Sequence, residues 1–88
     1  MLDIEYTNKF QKDLKKVLKR GKDRDKFKKI ITLLTEQKTI PQRYFNHKLT
    51  GNYKDHWELH IEPDWLLIYL ISDEILTLVR TGTHSDLF

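Results

Sequence analysis

Seven consecutive apolar residues, Trp65-Leu66-Leu67-Ile68-Tyr69-Leu70-Ile71, constrain the fold of this chain more than any other feature. The run is far too short to cross a bilayer as a helix, which takes about 20 residues. It reads as a central strand covered on both faces. Its neighbours agree. Trp57, Leu59 and Ile61 alternate with His56, Glu58, His60 and Glu62, the pattern of a strand with one buried and one open face. Glu62-Pro63-Asp64-Trp65 places a proline at the second position of a tight turn, and Ser72-Asp73-Glu74 turns the chain into a further strand over Ile75 to Arg80. Three strands joined by short turns predict an antiparallel meander.

Ahead of the meander the period changes. Leu2, Ile4 and Tyr6 alternate with Asp3 and Glu5, which predicts a first strand. Thr7 then caps a helix running to about Arg20, in which Phe10, Leu14, Val17 and Leu18 share one stripe. Gly21 supplies the stop. A second helix, from about Asp23 to Gln37, carries Phe27, Ile30, Ile31 and Leu34 on one stripe. Thr39 to Phe45, with Pro41, has no clear period and reads as a connector. The predicted order is strand, helix, helix, then three or four strands. That makes one α+β domain over residues 1–88, with the helical hairpin covering one face of the sheet and the other face or the sheet end left free. His56, Glu58 and His60 alternate onto that free face.

The charge is divided unevenly. Residues 1–29 hold eleven basic against five acidic side chains, a balance of +6, whereas the remaining 59 residues stand at −3. A basic helical half suits a polyanion or an acidic partner, or is simply a solvated face. There is no cysteine, so neither a disulfide nor a thiolate enters the chemistry. The start has no basic segment followed by an apolar one. That argues against a secretory signal and leads us to expect a cytoplasmic protein without a membrane contact.

The positive half is not the half that holds the histidines. His47, His60 and His84 lie in the strand-and-turn half, each near an acid, a base or an aromatic, and histidine is the side chain that titrates nearest neutrality. Glu58 precedes His60 by two residues on the polar side of the same strand. Asp64 follows in the adjoining turn, and Phe88 ends the chain. His56 has no evident partner, and the place of Trp65 in the apolar run makes it core. His47, His60 and His84 with a carboxylate could bind zinc, but no pair has the short regular spacing of zinc motifs, so no metal or other cofactor is expected. The three glycines are isolated and form no phosphate loop. Acid–base chemistry beside basic and aromatic groups suits RNA, whose 2′-hydroxyl is a built-in nucleophile.

Three blocks carry a resemblance: His47-Lys48-Leu49 with Gly51, His60-Ile61-Glu62-Pro63-Asp64-Trp65-Leu66-Leu67-Ile68-Tyr69, and Arg80-Thr81-Gly82-Thr83-His84 with Leu87-Phe88. In that order and spacing the chain resembles the YafQ-like branch of the RelE/ParE superfamily of bacterial type II toxins, over essentially its whole length. The resemblance implies two helices on a curved antiparallel sheet, the RelE-like microbial RNase fold, in the order β-α-α-β-β-β. It implies metal-free endonucleolytic cleavage of mRNA on the translating ribosome, the 2′-oxygen attacking the adjacent phosphorus. By the same resemblance His84 protonates the leaving 5′-oxygen, His60 and Asp64 are further acid–base residues, one of them acting on the 2′-hydroxyl, and His47 is a fourth catalytic position. Phe88, Arg80, Lys48, Glu58 and Trp65 are then expected around the substrate, Arg80 as a phosphate contact, while Trp57 stands where relatives often carry arginine. The implied partners are a cognate antitoxin, the ribosome with its mRNA, and operator DNA only through the antitoxin complex. Alternatives are a non-enzymatic ParE-like toxin, a degenerate antitoxin-binding repressor partner and a ribosome-independent RNase.

Overall fold

The computed structural model describes residues 1–88. Strand β1 (Asp3–Tyr6) leads into helix α1 (Asn8–Lys19) and helix α2 (Arg24–Thr35). Short strand β2 (His47–Lys48) and the meander β3 (Trp57–Glu62), β4 (Trp65–Ser72) and β5 (Ile75–Gly82) follow, and a four-residue helix α3 (His84–Leu87) closes the chain. No helix is long and apolar enough to cross a membrane.

Both long helices begin where a side chain can take an orphan amide. Thr7 accepts from the Phe10 N–H at 3.0 Å and donates its hydroxyl to the Val79 carbonyl at 2.8 Å, so one cap also ties α1 to β5. Asp23 accepts from the Asp25 N–H at 2.8 Å at the start of α2. The two helices lie on one face of the sheet. There Phe10, Val17, Ile30 and Leu34 meet Leu59, Trp65, Leu67, Tyr69, Leu76 and Leu78 in the main core. Each such aliphatic or aromatic side chain contributes about 1.5–3 kcal/mol by leaving water.

The sheet runs β1-β5-β4-β3-β2, antiparallel from β2 to β5 as expected. At its edge β1 pairs parallel with β5, Asp3 opposite Ile75, because the helical hairpin returns the chain across the sheet before the meander begins. The second face is not left free. Leu66, Ile68 and Leu87 form a smaller cluster there, with Leu49, Tyr53 and Val79 against it. The polar site is therefore confined to the rim of that cluster.

Two register shifts aim the side chains of this rim. In β3 a shift between His60 and Glu62 pairs Glu62 with Trp65, leaving Pro63-Asp64 as a two-residue loop at the sheet end. In β5 Leu78 pairs with Tyr69 but Arg80 with Ile68, so Val79 is the extra residue of a bulge. Simple alternation puts Arg80 on the helix-facing side with Leu76 and Leu78. The bulge moves it to the opposite side, alongside Ile68.

Candidate active site

Glu58 is the buried centre of the site. Its Oε1 lies 3.5 Å from His47 Nε2 and 3.5 Å from His60 Nε2, with only 7% of its side chain accessible. The β2–β3 register puts His47 directly opposite Glu58, and two-residue alternation puts His60 on the same side. His47 Nδ1 lies 2.7 Å from the Phe45 carbonyl. A carbonyl only accepts, so Nδ1 carries the hydrogen and Nε2 faces Glu58. With His60 Nε2 also turned to Glu58, His60 Nδ1 is the ring nitrogen left to take a proton.

His84 is held from the other side. Asp64, at the tip of the β3–β4 turn, accepts through Oδ1 from the His84 backbone N–H at 2.9 Å and meets His84 Nδ1 at 2.6 Å. The His84 amide first, and its imidazole second, hold the Asp64 carboxyl below the usual carboxylate range. Asp64 is therefore ionised at neutral pH and can only accept, so Nδ1 of His84 is the donor. That fixes the tautomer and leaves Nε2 facing outward. The His60 and His84 rings stand edge to face, 5.6 Å between centroids, and the His47 ring is 6.4 Å from that of His60. No group of three or more histidine and carboxylate side chains converges as a metal ion would require.

His84 stands at the first position of α3, a helix that the periodicity of the sequence does not predict. Thr83 caps it: its hydroxyl accepts from the Asp86 N–H at 3.1 Å, and the Asp86 carboxylate accepts in return from the Thr83 N–H at 2.9 Å. Gly82 makes room, since a Cβ there would come 2.9 Å from the Asp86 side chain. Asp86 is also gripped from the end of α1, by Lys16 at 3.7 Å and by Arg20, the residue that follows the helix, at 2.7 Å. Arg20 first, and the Thr83 N–H second, hold the Asp86 carboxyl far below the usual carboxylate range. A depressed carboxylate stabilises the fold above its unfolded value of about 3.9 and loses that contribution as the pH falls. Protection of the Leu87 and Phe88 amides, taken relative to the intrinsic exchange rate at each pH, should therefore fall progressively below about pH 4. In Asp86→Ala that protection should be low already at neutral pH, and unchanged protection in that variant would reject a stabilising role for the Asp86 contacts.

The remaining expected residues divide. Phe88 is exposed, stands edge to face with Tyr53 at 6.3 Å between centroids, and donates its backbone N–H to the His84 carbonyl at 2.9 Å. Arg80 reaches the site face, but its Nε and Nη2 donate to Asp13 of α1 at 2.6 and 3.2 Å. Its charge is thus already paired and cannot be counted as free for phosphate. Two expected substrate contacts lie apart from the histidines. Trp65 is wholly buried among the main core residues, its indole N–H donating to Thr81 Oγ1 at 3.0 Å, so it cannot touch a substrate. Lys48 pairs with Trp57, and strand alternation sends it to the side away from His47 and the other histidines. His56 packs against Tyr53 rather than beside His60. Phe45, whose ring is 5.6 Å from that of His60, lies in a stretch without a period and is not flagged by the sequence pattern.

The comparisons with known proteins agree with this fold. Residues 2–88 match the family described as bacterial toxin of type II toxin–antitoxin system, YafQ. The chain is 45% identical over 87 residues to the mRNA interferase toxin YafQ of Escherichia coli K12, covering 98% of this chain and 95% of that one. Its fold is similar to that of a copper-bound L66S mutant toxin from Helicobacter pylori, with TM-score 0.95, 38% identity and complete coverage of both chains. It also matches a chain of the E. coli DinJ–YafQ complex with TM-score 0.91 and 44% identity, over 100% of this chain and 99% of that one. The chain belongs to the YafQ family of bacterial toxins of type II toxin–antitoxin systems.

Proposed function

We propose that this chain is an endoribonuclease toxin that cleaves mRNA on the translating ribosome and thereby arrests translation. The relative named an mRNA interferase supports the reaction class, and one observation here carries it: His84, its tautomer set by Asp64, stands edge to face with His60, 5.6 Å between ring centroids. In the reaction His60 takes the 2′-hydroxyl proton through Nδ1, and the 2′-oxygen attacks the adjacent phosphorus. The bond to the 5′-oxygen breaks, and protonated His84 delivers its Nε2 proton to that oxygen. The products are a 2′,3′-cyclic phosphate and a 5′-hydroxyl. Asp64 acts as a positioning residue for His84, and Glu58 holds His47 and His60. The test is growth arrest together with mapping of mRNA 5′ ends after induction, for the wild type beside His84→Ala. Codon-phased cuts that vanish in the variant are the expected result. Arrest that persists without cuts would reject a nuclease, and cuts in free RNA without ribosomes would reject the ribosome dependence.

The toxin is neutralised by a cognate antitoxin and contacts operator DNA only within their complex; the antitoxin partner is supported by the E. coli DinJ–YafQ toxin–antitoxin complex. Its docking surface is a groove of about 440 Å³ between β1, α1 and α2. Ile4, Tyr6, Leu14 and Phe27 line it, with Ile4 and Tyr6 about half exposed, and Lys15 and Arg24 stand at its rim. An amphipathic segment with acidic residues beside its apolar stripe fits both the lining and the rim. Lys15→Glu with Arg24→Glu should slow antitoxin association about tenfold or more at low salt and flatten its salt dependence. Unaltered kinetics in surface plasmon resonance would move the docking site elsewhere.

A further inference from the structure

A groove that opens beside His60 is not used by the proton transfers themselves. It encloses about 490 Å³, within the usual range of about 300–1,000 Å³ for ligand clefts, and runs from His60 between the 42–45 turn, the start of the β3–β4 turn and α2. Its floor includes Ile61 and Pro63, and Lys26, Lys29 and Arg43 line it. Lys26 is bound to Glu62 at 2.8 Å, but Lys29 and Arg43 have no carboxylate partner, so two full positive charges face the cleft.

Phe45 stands at its inner end. Its backbone is left-handed, φ 48°, a conformation that a large side chain seldom adopts, and 68% of the residue is exposed. Two hydrogen bonds keep it there: its N–H donates to the Gln42 carbonyl at 2.9 Å, and its own carbonyl receives His47 Nδ1. The ring is 5.6 Å from that of His60, and His60 is in turn 5.6 Å from His84. An aromatic ring held open to solvent beside a basic cleft is the arrangement that binds single-stranded nucleic acid, bases on rings and phosphates on cations.

We infer that Phe45, Lys29 and Arg43 form an RNA subsite for the nucleotides on the 5′ side of the cleaved bond. The polarity rests on the nuclease reading above. His60 acts on the 2′-hydroxyl, which belongs to the nucleotide 5′ of the cut, and Phe45 lies beside His60. His84 serves the leaving 5′-oxygen of the nucleotide on the 3′ side. The base 5′ of the cut therefore stacks on Phe45, and the phosphates preceding it pass along Lys29 and Arg43.

The test is fluorescence anisotropy with a labelled, fully 2′-O-methylated hexanucleotide, which lacks the nucleophile and so reports binding alone. Phe45→Ala should raise Kd about tenfold and Phe45→Trp should restore it. Lys29→Gln with Arg43→Gln should reduce the slope of log K against log salt by about 1.4, at about 0.7 per phosphate contact, whereas Lys12→Gln on the far side of α1 should leave it unchanged. Equal affinity of Phe45→Ala and wild type, or no binding by the wild type at low salt, would overturn the subsite. In 5′-end mapping, Phe45→Ala should also change the nucleotide preferred immediately before the cut. Phe45-dependent binding by a protein that makes no His84-dependent cuts would reject the nuclease and keep the groove. Intact cleavage with Phe45-independent binding would do the reverse.

Discussion

His84→Ala is expected to lower mRNA cleavage by about 10²–10⁴-fold, the range for loss of one general acid–base group, while the protein keeps its melting temperature. The fold should survive because the imidazole is half exposed and its hydrogen-bond partner, Asp64, is at the surface, so its removal opens no cavity. Asp64→Asn tests the division of labour. If Asp64 only orients His84, this variant should lose kcat with little change in KM, since the ring still binds RNA but samples the wrong tautomer. Asp64→Ala combined with His84→Ala should then be no worse than His84→Ala alone, because two groups that act as one unit are not additive. A double variant ten times slower than His84→Ala would give Asp64 a proton-transfer role of its own.

Much of this arrangement is legible in the chain, and what is hidden has identifiable causes. The 3.6-residue stripes through Phe10 and Ile30 mark two helices because burial of one face is a local pattern. The Thr7 cap and the Pro63-Asp64 turn are equally local. Thr83 and Asp86 spell a capping box, so the start of α3 is legible in the chain, although its four residues carry no period. The parallel pairing of β1 with β5 is different: Ile4 meets Leu76 across most of the chain, and nothing near either residue encodes it. Arg80 shows how one extra residue defeats alternation. The bulge at Val79 reverses its side, and the reversal is invisible without the Ile68–Tyr69 register. Asp13, which then claims Arg80, reads in sequence only as a polar position off the core stripe. Among the site residues, the spacing of Glu58 and His60 placed both on one face. That Asp64 would hold His84 depended on where the sheet end and the final turn meet.

Trp65→Ala is expected to cost about 3–5 kcal/mol, a large part of the 5–15 kcal/mol that holds a small domain together. The indole is fully enclosed by residues from both helices and the sheet, and a small core has little freedom to collapse around the hole. The loss also strands Thr81. Its hydroxyl donates to the Leu66 carbonyl at 2.6 Å and accepts the indole N–H, so truncation removes one of its two partners at a buried position. Trp65→Phe keeps most of the apolar contact and gives up that hydrogen bond, which should cost about 1 kcal/mol plus the smaller volume. Urea denaturation separates a core residue from a substrate contact. For Trp65→Ala the midpoint should fall sharply with little change in slope, and activity should fall in step with the folded fraction. RNA affinity per folded molecule should stay at the wild-type value. A Trp65→Ala protein with an unshifted midpoint and weakened RNA binding would return the indole to the substrate site, against its burial beneath the helices.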